Sequence, residues 1–395
     1  MNRMKLSLGV AVSLATAALI WGGSAQAQQK KLTVGVVLPL SGTYADQGRH
    51  YEDGMKLYQK LHGNSAAGVP VEMVVRDDQG PGSGDLARRL TQELIVRNGA
   101  DVILGYSFTP TAMSVATLLN EAKKPAILVN ATGAAVLPRS EYFVRVSITA
   151  AQFAEPLARW ALKNNIKTVY TLVADFAPGI EMENAFKKVF EGGGGKIIGG
   201  ARTPVSAMEY SPFLQRAIEA KPEAIFAFNP GGDVSVAFMK QAKERNLAKA
   251  GIKLIVSGDV VDESMLAAMG DAVDGVVSSL NYQPDLKNPA NEKFLKGFHD
   301  MMGANAVPSA RTVQGYDGMA LIYQALEKTG GKTDADSLLA ALKEAKIDSP
   351  RGPISIDPKT RDIVQNMYIR RGVQKDGKWV NATEEAFENI KGTAN

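Results

Sequence analysis

From Leu32 onward one unit recurs along the chain: a short, nearly unbroken apolar run, a turn, then an amphipathic stretch of helical period. The runs LTVGVVL (32–38), VEMVVRD (71–77), DVILG (101–105) and AILVN (126–130) alternate with helical stretches over 45–61, 84–98 and 110–122. Strands that are apolar along their whole length are buried on both faces, and their alternation with helices makes the sheet parallel. The rhythm restarts with KTVYTLVA (167–174), GKIIGGA (195–201), AIFAFN (224–229), IKLIVSG (252–258) and DGVVSS (274–279), interleaved with helices near 179–191, 211–220, 234–245 and 263–269. The pattern predicts an α/β protein of two Rossmann-like lobes, each with a parallel-sheet core.

The tail breaks the rhythm. Helical segments near 289–302, 309–328 and 334–345 precede GPISID and IVQNMYIRR, which read as antiparallel strands, and Lys375-Asp376-Gly377 reads as a hairpin turn before Trp379. A tail returning to the earlier sheets makes both lobes discontinuous. The first is predicted to hold 28–147 plus about 280–355, the second 148–279 plus about 356–395. A length of 395 residues suits two domains at roughly 150 residues each.

The first 27 residues are predicted to lie outside the fold. Arg3 and Lys5 precede an apolar run from Leu6 to Trp21, and Ala25-Gln26-Ala27 supplies a small-residue cleavage signal. The mature chain is expected to begin at Gln28 and to be exported to a periplasm. No later run approaches the roughly 20 apolar residues of a spanning helix. There is no cysteine for a disulfide, a lipid anchor or a thiol nucleophile. Without Arg3 and Lys5 the chain carries 43 basic and 41 acidic residues, a balance that does not call for nucleic acid.

Catalytic patterns are missing. His50, His62 and His299 stand far apart in sequence, outside any zinc-ligand spacing, and each reads as a surface residue. No G-x-S-x-G elbow occurs, and a secreted hydrolase would need a base that the strand-end loops do not offer. EGGGGKI (191–197) follows a helix and leads into a strand, so its glycines read as a helix stop and not as a phosphate loop. Neither a cofactor nor a metal is predicted.

Ligands of open parallel sheets sit at the carboxyl ends of the strands. The loops there are PLSGTYADQG, GYSFTPTA, NATGAAVLP, ADFAPGIE, NPGGD and SGDVVDE. In GYSFTPTA, Thr109 before Pro110 reads as a helix cap, which leaves Ser107 and nearby amides available; NATGA repeats the offer with Thr132. Two hydroxyls beside a helix N-terminus can hold an anion without any basic residue. In the opposite lobe, Asp259 reads either as a carboxylate for a ligand's ammonium or hydroxyl, or as a helix cap, and Asp262 reads as the cap of the helix running to Met269. Phe176, Pro178, Tyr44, Tyr106, Phe108 and Tyr316 are candidates for an apolar wall.

The order VGVVLPLSGTYADQGRHYEDGMKL, VVRDDQG, ILGYSFTPTAMSVATLLNEAKKPAILVNAT, ADFAPG and VQGYDGMALIYQAL resembles the leucine/isoleucine/valine-binding protein family, type I periplasmic binding proteins of ABC transporters. The resemblance covers essentially the whole mature chain. It implies two lobes joined by a three-strand hinge and closing on a ligand, with an inner-membrane ABC permease as partner and the protein acting as a monomer. It implies that Ser107 and Thr132 hold the ligand's carboxylate, and Tyr106, Phe108 and Ala131 beside them are counted among the ligand-binding residues. By the same likeness Asp259 faces an α-ammonium, and Tyr44 and Tyr316 border the cleft. Two departures stand out: amino-acid binders of the family usually carry a longer Glu near Asp259, and often an aromatic residue at Pro178. The expected ligand is a small carboxylate such as a branched-chain or related amino acid. The alternatives are an aromatic or other amine-free acid, or the same fold serving as a sensor for a membrane receptor.

Overall fold

The computed structural model describes residues 31–392; the predicted signal segment lies outside the described residues. The first lobe is built from β1 (Leu32–Leu38), α1 (Ala45–His62), β2 (Ser65–Ala66), β3 (Val69–Asp77), α2 (Gly84–Val96), β4 (Val102–Gly105), α3 (Thr109–Ala122), β5 (Ala126–Leu128) and β6 (Phe143–Arg145). Its sheet runs β2-β3-β1-β4-β5-β6, parallel except for the short β2. Every residue of β1, β4 and β5 is buried, which is why these strands read as unbroken apolar runs.

The second sheet gathers β7 (Thr168–Ala174), β8 (Lys196–Thr203), β9 (Ala224–Phe228), β10 (Lys253–Ser257) and β11 (Val277–Leu280) in parallel. Between them run α4 (Ala150–Lys163, ahead of β7), α5 (Ala177–Gly192), α6 (Ser211–Glu219), α7 (Asp233–Glu244) and the single turn α8 (Leu266–Met269). The tail contributes α9 (Pro289–Met302), α10 (Ala310–Thr329) and α11 (Ala335–Lys343), then β12 (Lys346–Ser349), β13 (Gly352–Ile356), β14 (Ile363–Lys375) and β15 (Lys378–Lys391). These last four strands extend the second sheet antiparallel from β11. Asp376 at φ 50° and Gly377 at φ 74° make the expected tight turn between β14 and β15.

Helix α10 packs along α1 of the first lobe, and close backbone approach makes this possible. A Cβ on Gly54 would stand 1.8 Å from the Thr312 carbonyl oxygen, and one on Gly315 would stand 2.0 Å from that of Tyr51. Helix α10 is buried on almost every face, so its residues reach both the core and the space between the lobes.

The strands connecting the lobes are tied by buried polar side chains. Gln365 Nε2 donates to the Ser147 carbonyl at 2.7 Å and to Gln152 Oε1 at 2.8 Å, while its Oε1 accepts from Asn281 at 2.9 Å. Arg351, fully buried, donates to Asp317 at 2.8 Å and also binds Gln365 and the Val146 carbonyl.

Candidate functional site

In the first sheet β1 lies between β3 and β4, and in the second β7 lies between β8 and β9, so each sheet changes winding direction there. Crevices form at the carboxyl ends of strands at such points. One narrow cavity is lined from both sides by the loops that follow β4, β5, β7, β9 and β10.

The first-lobe wall begins where β4 ends. Gly105 lies so close to β1 that a Cβ would stand 2.2 Å from the Val37 carbonyl oxygen. Tyr106 follows in the left-handed region at φ 56°, and Ala131, after β5, does the same at φ 51°. Non-glycine residues hold this conformation only where the surroundings fix it. Here Tyr106 is fixed by its amide, donating to the Val37 carbonyl at 3.0 Å, and by its hydroxyl, 2.6 Å from Thr91 Oγ1. The two turns are joined by the Ala131 amide, which donates to the Ser107 carbonyl at 3.2 Å. Arg145 Nη1 donates to the carbonyls of Ala131 at 2.8 Å and Gly133 at 2.9 Å, which holds Thr132 between them.

Ser107 and Thr132 are thereby brought onto one cavity wall, with Phe108, Thr109 and Asn130 beside them. Ser107 is 1% exposed, and its Oγ has no hydrogen-bond partner among the described residues. A buried hydroxyl left unmade costs about 1–3 kcal/mol, which a ligand acceptor would relieve. Thr109 is not the cap that its place before Pro110 predicts. It is the first residue of α3, and its Oγ1 accepts from the Gly133 amide at 3.1 Å, bracing the neighbouring loop.

The second-lobe wall is apolar. Phe176 and Pro178 come from the start of α5, and Phe228 and Pro230 from the end of β9. The Phe176 and Phe228 rings lie nearly parallel, 15° apart at 5.8 Å. The lobes touch around the cavity: Gln47 donates to the Pro230 carbonyl at 3.1 Å, and the Ala134 amide donates to Glu181 at 2.7 Å.

Asp259 lines the same cavity, but its carboxylate is already engaged. Arg311, from the first turn of α10, approaches its Oδ1 at 2.7 Å. Burial pushes the Asp259 carboxyl above the usual range even with that guanidinium beside it. Behind it Asp262 is the helix cap that the sequence suggests, accepting from the Ser264 amide at 3.1 Å and the Ser264 hydroxyl at 2.7 Å. Burial acts to raise Asp262, but Arg311, His50 and the Ser264 hydrogen bonds hold it below the usual range. His50 is half-buried and not free on the surface. Its Nδ1 is 3.0 Å from Ser309 Oγ, and burial lowers its pKa while Asp262 opposes the shift.

The other predicted wall residues stand elsewhere. Tyr106 points into the core beneath α2 and α3, and Ala131 contributes its backbone. Tyr44 packs edge-on against Phe108 with centroids 4.9 Å apart, supporting that ring from behind. Tyr316 faces inward between helices, its hydroxyl 3.1 Å from His62 Nε2 and its ring against Tyr58 and Phe294, where a buried phenol finds both packing and a polar partner. Thr109, Asn130, Phe228, Pro230 and Arg311 escape the sequence reading. The first four adjoin strand ends already singled out, whereas Arg311 carries no local signal. Among the described residues no group of His, Cys, Asp and Glu could hold a metal ion, and no helix is long and apolar enough to cross a membrane.

Residues 31–378 match the periplasmic binding protein family model. The Leu/Ile/Val-binding protein homolog 6 of Brucella melitensis biotype 1 is 37% identical over 356 residues, covering 90% of this chain and 91% of that one. The solute binding protein of an ABC transporter from Rhodopseudomonas palustris BisB5, solved in complex with 3,4-dihydroxybenzoic acid, is 43% identical. It superposes with a TM-score of 0.87 over 91% of this chain and 98% of that one. A second R. palustris solute binding protein, solved in complex with 4-hydroxybenzoate, is 38% identical, with the same TM-score and coverage.

Proposed function

The chain belongs to the periplasmic binding protein family, whose members are solute-binding components of ABC transporters, and from that premise we propose that its ligand is an aromatic monocarboxylic acid held between the lobes. One observation carries this choice over an amino acid: Asp259, the cavity's carboxylate, is already ion-paired with Arg311. A free carboxylate would select an ammonium; this one already carries a guanidinium, shared with Asp262, on one of its oxygens. The remaining walls suit a flat ring with an acid at one end. Phe108, Phe176, Phe228, Pro178 and Pro230 offer apolar faces, and Ser107 and Thr132 offer hydroxyls beside the start of α3. The two R. palustris proteins, solved with hydroxybenzoates, support the same reading.

On this reading the protein works in the periplasm, exported by its leading segment, and hands its ligand to an inner-membrane permease. No bond is made or broken. Ligand binds to one lobe and the other closes over it, turning at the crossovers near 146–149, 281–283 and 349–365 that Gln365 and Arg351 tie together. A thermal-shift panel tests the assignment. A true ligand at a hundred times its dissociation constant adds about 2.7 kcal/mol to stability. 4-Hydroxybenzoate and 3,4-dihydroxybenzoate are expected to raise the melting temperature, and leucine, isoleucine and valine to leave it unchanged. The opposite result would overturn the assignment.

A further inference from the structure

Asp259 is both paired and open. Arg311 takes its Oδ1 at 2.7 Å, and no protein donor among the described residues takes the second oxygen. The side chain keeps 14% of its surface exposed while lining the cavity. Arg311 itself is almost wholly buried, on the helix that packs against the first lobe, so the pair spans the two lobes. Asp262 approaches Arg311 from behind at 3.5 Å and is sealed from the cavity at 1% exposure. The guanidinium therefore fixes one oxygen of Asp259 while sharing its charge between Asp259 and Asp262, and the other Asp259 oxygen remains an acceptor.

Such a group distinguishes ligands by the donor they bring. A second cation would stand beside a guanidinium of like charge. A neutral hydroxyl meets no such repulsion and makes a charge-assisted hydrogen bond, roughly twice as strong as a neutral one. Ser107 and Thr132 line the cavity from the first lobe and Asp259 from the second, so the hydroxyls and the open carboxylate oxygen are offered from opposite lobes.

We propose, resting on the aromatic-acid reading above, that Asp259 accepts a hydrogen bond from a ring hydroxyl remote from the ligand's carboxylate, and that Arg311 is the positioning residue that holds Asp259 for it. The site thereby separates hydroxylated aromatic acids from benzoate.

Isothermal calorimetry of 4-hydroxybenzoate against benzoate tests this on the wild-type protein, on Asp259→Ala, and on the double variant Asp259→Ala with Arg311→Met. In Asp259→Ala the guanidinium keeps Asp262 as its partner, whereas in the double variant Asp262 is the carboxylate left without one, so the two variants perturb the buried charges in different ways. The readout is the ratio of the two affinities, which a general defect in folding or closure does not change. Wild type is expected to prefer the hydroxylated acid by roughly 10- to 100-fold, the factor for one hydrogen bond to a charged acceptor. In both variants the ratio is expected to fall to about 3 or less. A wild-type ratio near one, or a ratio unchanged in the variants, overturns the proposal and leaves the aromatic-acid reading standing. If neither acid binds the wild type, that reading fails too.

Discussion

Arg145 donates to both carboxylate oxygens of Asp362, at 2.8 and 2.7 Å, across 217 residues of sequence and with neither side chain exposed. The same guanidinium holds the Ala131 and Gly133 carbonyls, so this pair sets the position of Thr132. Removing one partner leaves a buried charge uncompensated, at a cost of about 3–5 kcal/mol. Arg145→Met is therefore expected to lower the urea midpoint strongly and to weaken ligand binding. Adding Asp362→Leu is expected to restore much of the stability and little of the affinity. Urea unfolding followed by circular dichroism, with calorimetry on the folded variants, checks both.

Ser107→Ala separates binding from folding. The Ser107 hydroxyl is buried with no partner among the described residues, so deleting it removes a group that they leave unsatisfied. The ligand-free melting temperature is expected to hold or rise, while ligand affinity falls about tenfold or more. Lower stability with unchanged affinity would assign Ser107 to the fold instead.

Gly315→Ala probes the contact between α1 and α10. An added Cβ would meet the Tyr51 carbonyl oxygen at 2.0 Å, so the helices must move apart. Overpacking of this kind costs about 1–3 kcal/mol. Arg311 rides on the same helix, so the substitution is expected to reduce both the urea midpoint and the preference for 4-hydroxybenzoate over benzoate. An unchanged midpoint would contradict the packing.

Asp78 gives a pH signature. It is fully buried, its Oδ1 accepts from the Gly80 amide at 3.1 Å, and its Oδ2 has no partner among the described residues. Burial pushes its pKa up to about 6 from 3.8. A carboxyl raised on folding contributes stability that is complete below the unfolded value and lost as pH rises through the folded one. Wild type is thus expected to lose on the order of 2–3 kcal/mol from this group between about pH 4 and pH 7. Asp78→Asn is expected to match wild type near pH 4 and to exceed it above pH 6.5. Urea unfolding at the two pH values reads the difference.

What the sequence shows depends on how local the cause is. β1 spans the predicted 32–38 because all seven of its residues are buried. α9 spans the predicted 289–302 because Asn288 caps it, Pro289 opens it and Gly303 ends it. α4 escapes the sequence reading. Pro156 interrupts its helical pattern, and the capping box of Thr149 and Gln152 is the signal that could have revealed it. β6, three residues long, leaves too little periodicity to read. Ser107 and Thr132 are legible because hydroxyls at strand ends follow from topology alone. The pairing of Asp259 with Arg311, 52 residues away, depends on α10 crossing toward the cavity, and no local pattern encodes it.

The account depends most on a charged acid group seated against Ser107, Thr132 and the start of α3. Calorimetry of 4-hydroxybenzoate beside its methyl ester tests this most directly, because the two share ring and hydroxyl and differ at the acid. The acid is expected to bind with a dissociation constant of about 1 μM or tighter, near −8 kcal/mol, and the ester at least a hundredfold more weakly. Equal affinity for acid and ester, or no heat from the acid, would contradict it.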